Sequence, residues 1–144
     1  MLTLNKEEVD LIASKLLKGM VCFYQLDKKK IFYMPDDEDY FDYELTPQEE
    51  TLLDNVEESP ENYAEFTKLE PAQEHQMMQD FVDRFVNEKT LAEDLVDALA
   101  KPKANTAFKY VIDESKYKAD WKEFRRNRYT DWVMEQVDSF NYSA

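Results

Sequence analysis

The sequence predicts an α+β fold, mostly helical, in a single domain over residues 1–144 with a small antiparallel sheet. Three observations carry that prediction. Apolar residues recur at the 3.6-residue helical period in six separate stretches. β-branched and aromatic residues crowd into two adjacent runs between residues 20 and 34. The 144 residues are 43% hydrophobic and 14% aromatic, enough for a core in one domain and too apolar for a disordered chain. One glycine and five prolines leave little material for phosphate-cradling loops or flexible linkers. No apolar run approaches the roughly 20 residues that span a bilayer.

The first helix opens at Asn5, which forms a capping-box pattern with Glu8, while Leu4 and Val9 are placed as a hydrophobic staple. Val9, Ile12, Ala13, Leu16 and Leu17 make its apolar stripe, and Gly19 stands where a left-handed C-terminal cap is needed. Residues 20–26 and 30–34 read as a hairpin whose turn, Asp27-Lys28-Lys29-Lys30, lacks the usual Asn-Gly or Asp-Gly pair. Pro35 is expected to end its second strand. A third strand is expected over 62–69, between Pro60 and Pro71. Before it, Thr46-Pro47-Gln48-Glu49 supplies a cap, a proline at the first helical position and a box glutamate. That short helix runs to about residue 56, with Leu52, Leu53 and Val56 inward.

The second half reads as four helices. Met77, Met78, Phe81, Val82, Phe85 and Val86 mark the first, over about 72–87. Thr90-Leu91-Ala92-Glu93 reads as a capping box for the next, with Leu91, Leu95, Ala98 and Leu99 on one side and Pro102 closing it. Phe108, Val111 and Ile112 mark a short helix. The last is expected over about 114–138, anchored by Tyr117, Trp121, Phe124, Trp132, Val133 and Val137. The natural layering for this order packs helices on one face of the sheet.

Four groups of residues form an ordered set. They are the hairpin from Phe23 to Met34 with its acidic sequel, and Thr67-Lys68-Leu69-Glu70-Pro71 leading into Met78-Gln79-Asp80-Phe81-Val82-Asp83-Arg84-Phe85. Ala107-Phe108-Lys109 follows, then Trp121-Lys122-Glu123-Phe124 with Trp132 beyond. In this order, over roughly 20–138 and with the first helix outside, the set resembles the bacterial uncharacterised protein family 0158. The family hairpin commonly turns on Thr-Gly or a similar pair where this chain has Lys28-Lys29, and a glycine often found before the Ala-x-Phe-Lys stretch is absent. The resemblance implies the same fold class and a bacterial cytoplasmic origin. It implies no activity, cofactor or site residue.

Charge is the functional feature of the chain. Thirteen acidic residues and no Lys or Arg lie between Ile31 and Thr67, in a chain with 32 acidic and 18 basic side chains and a net charge of −14. Without that segment the balance is 19 against 18. A block of one sign attracts basic partners and repels polyanions. The expected site lies in an acidic loop and short helix over 36–61. Asp36, Asp37, Glu38, Asp39, Asp42 and Glu44 form its electrostatic part, and Tyr40, Phe41 and Tyr43 its apolar anchors. The expected partner is a basic protein, with no direct nucleic-acid or membrane binding. Two other readings are a mimic of nucleic acid that inhibits or regulates a basic protein, and a mere solubilising surface.

No catalytic residue, cofactor or metal ligand is assigned. The chain has no Gly-x-Ser-x-Gly, Walker A or His-Glu-x-x-His pattern. His75, the only histidine, reads as a surface or half-buried helix residue. Its alternative, from a different class, is a general base in a small hydrolase or metal-assisted enzyme. Asp36-x-Glu38 and Asp37-x-Asp39 begin like a calcium loop, then lack the glycine at position six and the glutamate at twelve. Cys22 alternates with Met20 and Tyr24 and reads as a buried thiol. A single cysteine and a start without a signal-peptide pattern fit a cytoplasmic protein. On the last helix Lys118, Lys122 and Arg125 make a basic ridge beside Tyr129, with Lys116, Arg126 and Arg128 nearby. Interspersed carboxylates oppose a nucleic-acid role there.

Overall fold

The computed structural model describes residues 1–36 and 44–143. Among them are six α-helices: α1 (Lys6–Leu17), α2 (Pro47–Glu58), α3 (Pro71–Phe85), α4 (Lys89–Leu99), α5 (Ala104–Asp113) and α6 (Lys118–Ser143). Three strands, β1 (Met20–Gln25), β2 (Lys30–Pro35) and β3 (Tyr63–Phe66), form one antiparallel sheet in the order β2-β1-β3. This is the helix-dominated α+β class that the periodicities indicate. The chain forms two compact units, Met1–Lys68 with Tyr129–Ala144, and Leu69–Arg128.

In the first unit α1 opens on the Asn5 box. Glu8 N–H donates to Asn5 Oδ1 at 2.8 Å, and Asn5 N–H donates to Glu8 Oε1 at 3.0 Å. Past its end Gly19 takes φ 81°, a conformation glycine adopts without a Cβ penalty. The hairpin then turns without glycine. Lys29 sits at φ 54°, which costs a residue with a Cβ about 1–2 kcal/mol. Asn62 holds that turn in place, accepting from Leu26 N–H at its backbone oxygen (2.8 Å) and from Asp27 N–H at Oδ1 (3.1 Å). β2 includes Pro35, which as part of an outer strand removes no central ladder bond.

β3 is shorter than the expected 62–69. A 3₁₀ turn, Pro60–Asn62, precedes it, and it stops before Thr67. The Gln136 side chain takes the Thr67 peptide groups instead, accepting from the N–H at 3.0 Å and donating to the oxygen at 3.2 Å. Trp132 Nε1 donates to the same oxygen at 2.7 Å. Asn141 makes a matching clasp on Leu2, accepting from its N–H (2.7 Å) and donating to its oxygen (2.9 Å).

Both faces of the sheet are covered, which corrects the one-face layering. Side chains alternate along each strand. On one face Tyr24 bonds Glu8 of α1, and Lys15 of α1 lies 4.1 Å above the Tyr33 ring. On the other, Phe23, Met34 and Tyr63 pack with Leu52 of α2, with Leu53 and Val56 beside them. The central strand therefore buries three consecutive residues, Cys22, Phe23 and Tyr24.

The second unit is organised around Phe81, which is fully buried on α3. The rings of Phe85, Trp121, Phe124 and Tyr117 lie 4.9, 5.2, 5.4 and 6.3 Å from it, and Phe108 lies 5.0 Å from Trp121. Such pairs contribute about 0.5–1.5 kcal/mol each beyond their area burial. Two boundaries differ from expectation here. α4 starts at Lys89 with Glu88 as N-cap, so Thr90 lies inside the helix and the Thr90–Glu93 box is not its cap. Tertiary bonds pin that start: Glu88 receives Lys116 Nζ at 2.6 Å and Tyr117 Oη at 2.8 Å, and Asn87 N–H donates to Tyr117 Oη at 3.4 Å.

α6 begins at Lys118 rather than near 114, and it continues to Ser143 rather than 138. Ser115 Oγ donates to Ile112 O at 2.7 Å and accepts from Tyr117 N–H at 3.1 Å, which makes a turn where the helix was expected. Lys116 consequently precedes the helix. Tyr129, expected beside an exposed basic ridge, is 1% exposed.

Candidate functional site

Of the nine residues expected at the site, Asp36 and Glu44 are described. Asp37, Glu38, Asp39, Tyr40, Phe41, Asp42 and Tyr43 lie outside the described residues. Asp36 N–H donates to Gly19 O at 3.2 Å, so the acidic segment leaves the sheet at the end where α1 hands over to β1. Glu44 is exposed. The rest of the acidic block is ordered on α2 and just beyond. α2 turns Leu52, Leu53 and Val56 inward, and the helical period then puts Glu50, Asp54, Glu57 and Glu58 on the outer side, all exposed. Glu61 and Glu65 add two more exposed carboxylates. Glu49 differs, since its Oε1 accepts from Thr46 N–H at 2.8 Å as the box residue.

The last turn of α2 carries Glu57 and Glu58 and no basic residue. Carboxylates at a helix C-terminus oppose the helix dipole. This ridge is therefore arranged against local stability, and its field points outward.

The remaining candidates for chemistry are committed elsewhere. His75 Nε2 lies 3.2 Å from Leu99 O at the end of α4, where a carbonyl has no partner within its own helix. With the proton on Nε2, the imidazole donates to it and closes that end. Cys22 is inaccessible, and burial pushes its thiol up to about 12 although Lys15 acts the other way. A thiol that holds its proton is a poor nucleophile. Burial also raises the Tyr24 hydroxyl, and the charge and hydrogen bond of Glu8 add to it. The bond from Lys116, then that from Tyr117, holds Glu88 down to about 2, and Glu88 in turn raises Lys116. Among the described residues no group of three or more His, Cys, Asp or Glu is placed to hold a metal ion. No helix among them is long and apolar enough to cross a membrane.

Concave regions occur in both units, including one of about 460 Å³ lined by Val82, Val86, Lys89 and Val96 among others. In the first unit a cleft of about 430 Å³ between the sheet and α2 is lined by Lys28, Lys30, Phe32, Thr51, Asn55 and Tyr63 among others. In the second unit two cavities, about 540 and 870 Å³, share Asp94, Tyr110 and Val111 and form one groove along α4 and α5. Tyr110 is 72% exposed within it. The apolar period marks α5 by Phe108, Val111 and Ile112 and gives Tyr110 no part in it. The signal was present: Tyr110 is an aromatic two residues from both Phe108 and Ile112, on the opposite side of the helix from that buried pair.

No curated protein and no solved structure matches the chain. A family model does match, over residues 6–144. It takes in α1, which the residue-by-residue resemblance over 20–138 left outside. The chain belongs to the uncharacterised protein family UPF0158.

Proposed function

We propose that this protein is a non-catalytic acidic interaction module that docks a basic protein. The observation that carries the reading is the ordered ridge Glu50, Asp54, Glu57 and Glu58 on α2, within a stretch from Ile31 to Thr67 that holds thirteen acidic residues and no basic one. Such a surface speeds encounter with a cationic partner, and its binding weakens with salt. The segment Asp36–Glu44, with Tyr40, Phe41 and Tyr43, supplies the apolar anchors in this reading. The commitment of His75 to Leu99 and of Cys22 to the core supports a role outside catalysis.

The same ridge favours a narrower version, mimicry of nucleic acid. Glu50, Asp54 and Glu57 recur about once per turn on a helix whose pitch is about 5.4 Å, so their carboxylates are spaced along a rigid axis. The test is a pull-down from native cytosol at low and high salt. Wild type is compared with Asp36→Asn/Asp37→Asn/Glu38→Gln/Asp39→Asn and with Glu50→Gln/Asp54→Asn/Glu57→Gln/Glu58→Gln. A basic protein retained by wild type, released by salt and lost from either variant is the expected result. Its displacement by added nucleic acid would select mimicry. Retention unchanged across salt and both variants would sink the docking reading.

A further inference from the structure

Three of the first unit's 7 basic side chains, Lys28, Lys29 and Lys30, are consecutive at the hairpin turn. Lys28 and Lys30 line the cleft of about 430 Å³ between the sheet and α2, whereas Lys29 between them does not. The strand register builds the lysine end of this cleft. Lys30 pairs with Gln25 of β1, and Gln25 pairs with Tyr63 of β3. Those three positions form one row across the sheet, on the face that Phe23 and Phe32 share with Leu52 of α2. Phe32 and Leu52 give the cleft an apolar wall.

The charged and buried polar groups at that end are donors that the chain itself does not satisfy. Among the described residues neither Lys28 nor Lys30 has a carboxylate within ion-pair distance. Tyr63 is buried, and its Oη accepts from Gln25 Nε2 at 3.3 Å. That bond uses the oxygen of Tyr63 and leaves its proton, which has no acceptor among the described residues. Such a donor calls for an acceptor from outside the chain. Glu49 is the one acid in the lining, and its Oε1 already accepts from Thr46 N–H at 2.8 Å. Two ammonium groups and a phenol proton therefore share one cleft, in a unit with 20 acidic side chains.

We propose that this cleft binds a small phosphate monoester carried on an apolar ring. Lys28, Lys30 and the Tyr63 hydroxyl supply one donor for each of the three terminal oxygens, and the ring rests on Phe32 and Leu52. A phosphate monoester carries about −1.5 to −2 charge at pH 7, which suits two ammonium groups better than a single carboxylate does. The cleft is within the roughly 300–1,000 Å³ of small-molecule sites. The acidic surface of α2 repels a polyanion, which restricts the ligand to one isolated phosphate. The cleft is also separate from the proposed docking ridge, since none of Glu50, Asp54, Glu57 and Glu58 lines it.

The probe is phenyl phosphate, titrated into the isotope-labelled full chain by NMR beside benzoate, phenol and inorganic phosphate. It should bind more tightly than benzoate, and about tenfold or more tightly than phenol or inorganic phosphate, with shifts at Phe32, Leu52 and Tyr63. Lys28→Gln/Lys30→Gln should weaken it about tenfold, and Tyr63→Phe about threefold. Lys29→Gln removes a charge from the same turn but outside the cleft, so it should change affinity by less than about twofold. Because Lys28 and Lys30 are exposed, their replacement spares the core, and the amide spectrum of each variant checks the fold. Three outcomes would overturn the proposal. They are no binding of phenyl phosphate, binding matched by any of the three comparators, and a loss in Lys29→Gln equal to that in the Lys28/Lys30 variant.

Discussion

The first unit carries 20 acidic and 7 basic side chains, a net charge of −13, whereas the second carries 12 and 11, a net charge of −1. Their means of cohesion differ as well. The first is built on a three-stranded sheet sandwiched between α1 and α2, with the Gln136 and Asn141 amides clasping backbone that the sheet leaves unpaired. The second is built on rings around Phe81. A unit of high one-sign charge repels itself, so it gains from directional bonds that fix the backbone under that strain. The nearly neutral second unit is held chiefly by its buried rings, with directional bonds at the start of α4, where Lys116 and Tyr117 meet Glu88, and at its end, where His75 meets Leu99. The strongly charged unit is where the proposed docking surface lies.

The chain's two tryptophans sit one in each unit, Trp121 in the second and Trp132 in the first, so fluorescence can follow them separately. The largest expected effect is in the ring cluster. Phe81→Ala should cost about 3–5 kcal/mol, read by urea unfolding of Trp121 in a Trp132→Phe background. Phe85→Ala, at a residue 40% exposed, should cost clearly less; equal costs would mean that the cluster is not centred on Phe81.

In the first unit the Cys22 thiol has its ordinary value near 9.0 in the unfolded chain and about 12 in the fold. The unfolded chain therefore releases that proton first, so stability should fall as pH rises from about 9 to about 12. Cys22→Ala should flatten that part of the pH profile. A thiol reagent at neutral pH should label Cys22 only as fast as the unit opens.

Gln136→Ala should cost about 1 kcal/mol by removing the amide that holds Thr67, with the loss reported by Trp132. A loss reported equally by Trp121 would contradict the assignment of that clasp to the first unit. Glu57→Gln and Glu58→Gln should each stabilise by about 0.3–1 kcal/mol, since they relieve charge at the wrong end of α2. Neutralisation that destabilises would show those carboxylates to be structural. The smallest effect is at Glu88, whose carboxyl is held down to about 2. Its contribution is present above the ordinary value of 4.5 and lost as pH falls toward 2, so the difference in melting temperature between wild type and Glu88→Gln should shrink across that window.

The elements with local chemistry were legible. Asn5 with Glu8, Gly19 after α1, and Thr46-Pro47 with Glu49 each specify an end of a helix through bonds made within a few residues, and all three appear as read. Where an element departs from its local signals, a distant group intervenes. The Thr90 box lost to Glu88 held by Lys116 and Tyr117, and β3 stopped where Gln136 reached Thr67. Of the site, the acidic ridge on α2 follows from the helical period and composition. The α4–α5 groove does not, because Asp94 and Asp97 meet Tyr110 only when two helices pack.

By itself the sequence determined the α+β class, the helix ends set by local caps and the concentration of charge before Thr67. These depend on neighbours three or four residues apart or on composition alone, and they hold where, unlike at the Thr90 box, no distant group competes for the same backbone. The tertiary structure decided that both faces of the sheet are covered, that His75 caps α4, and that an exposed tyrosine shares a groove with two aspartates. Each of those is a juxtaposition of residues far apart in the chain, fixed by packing that periodicity does not encode.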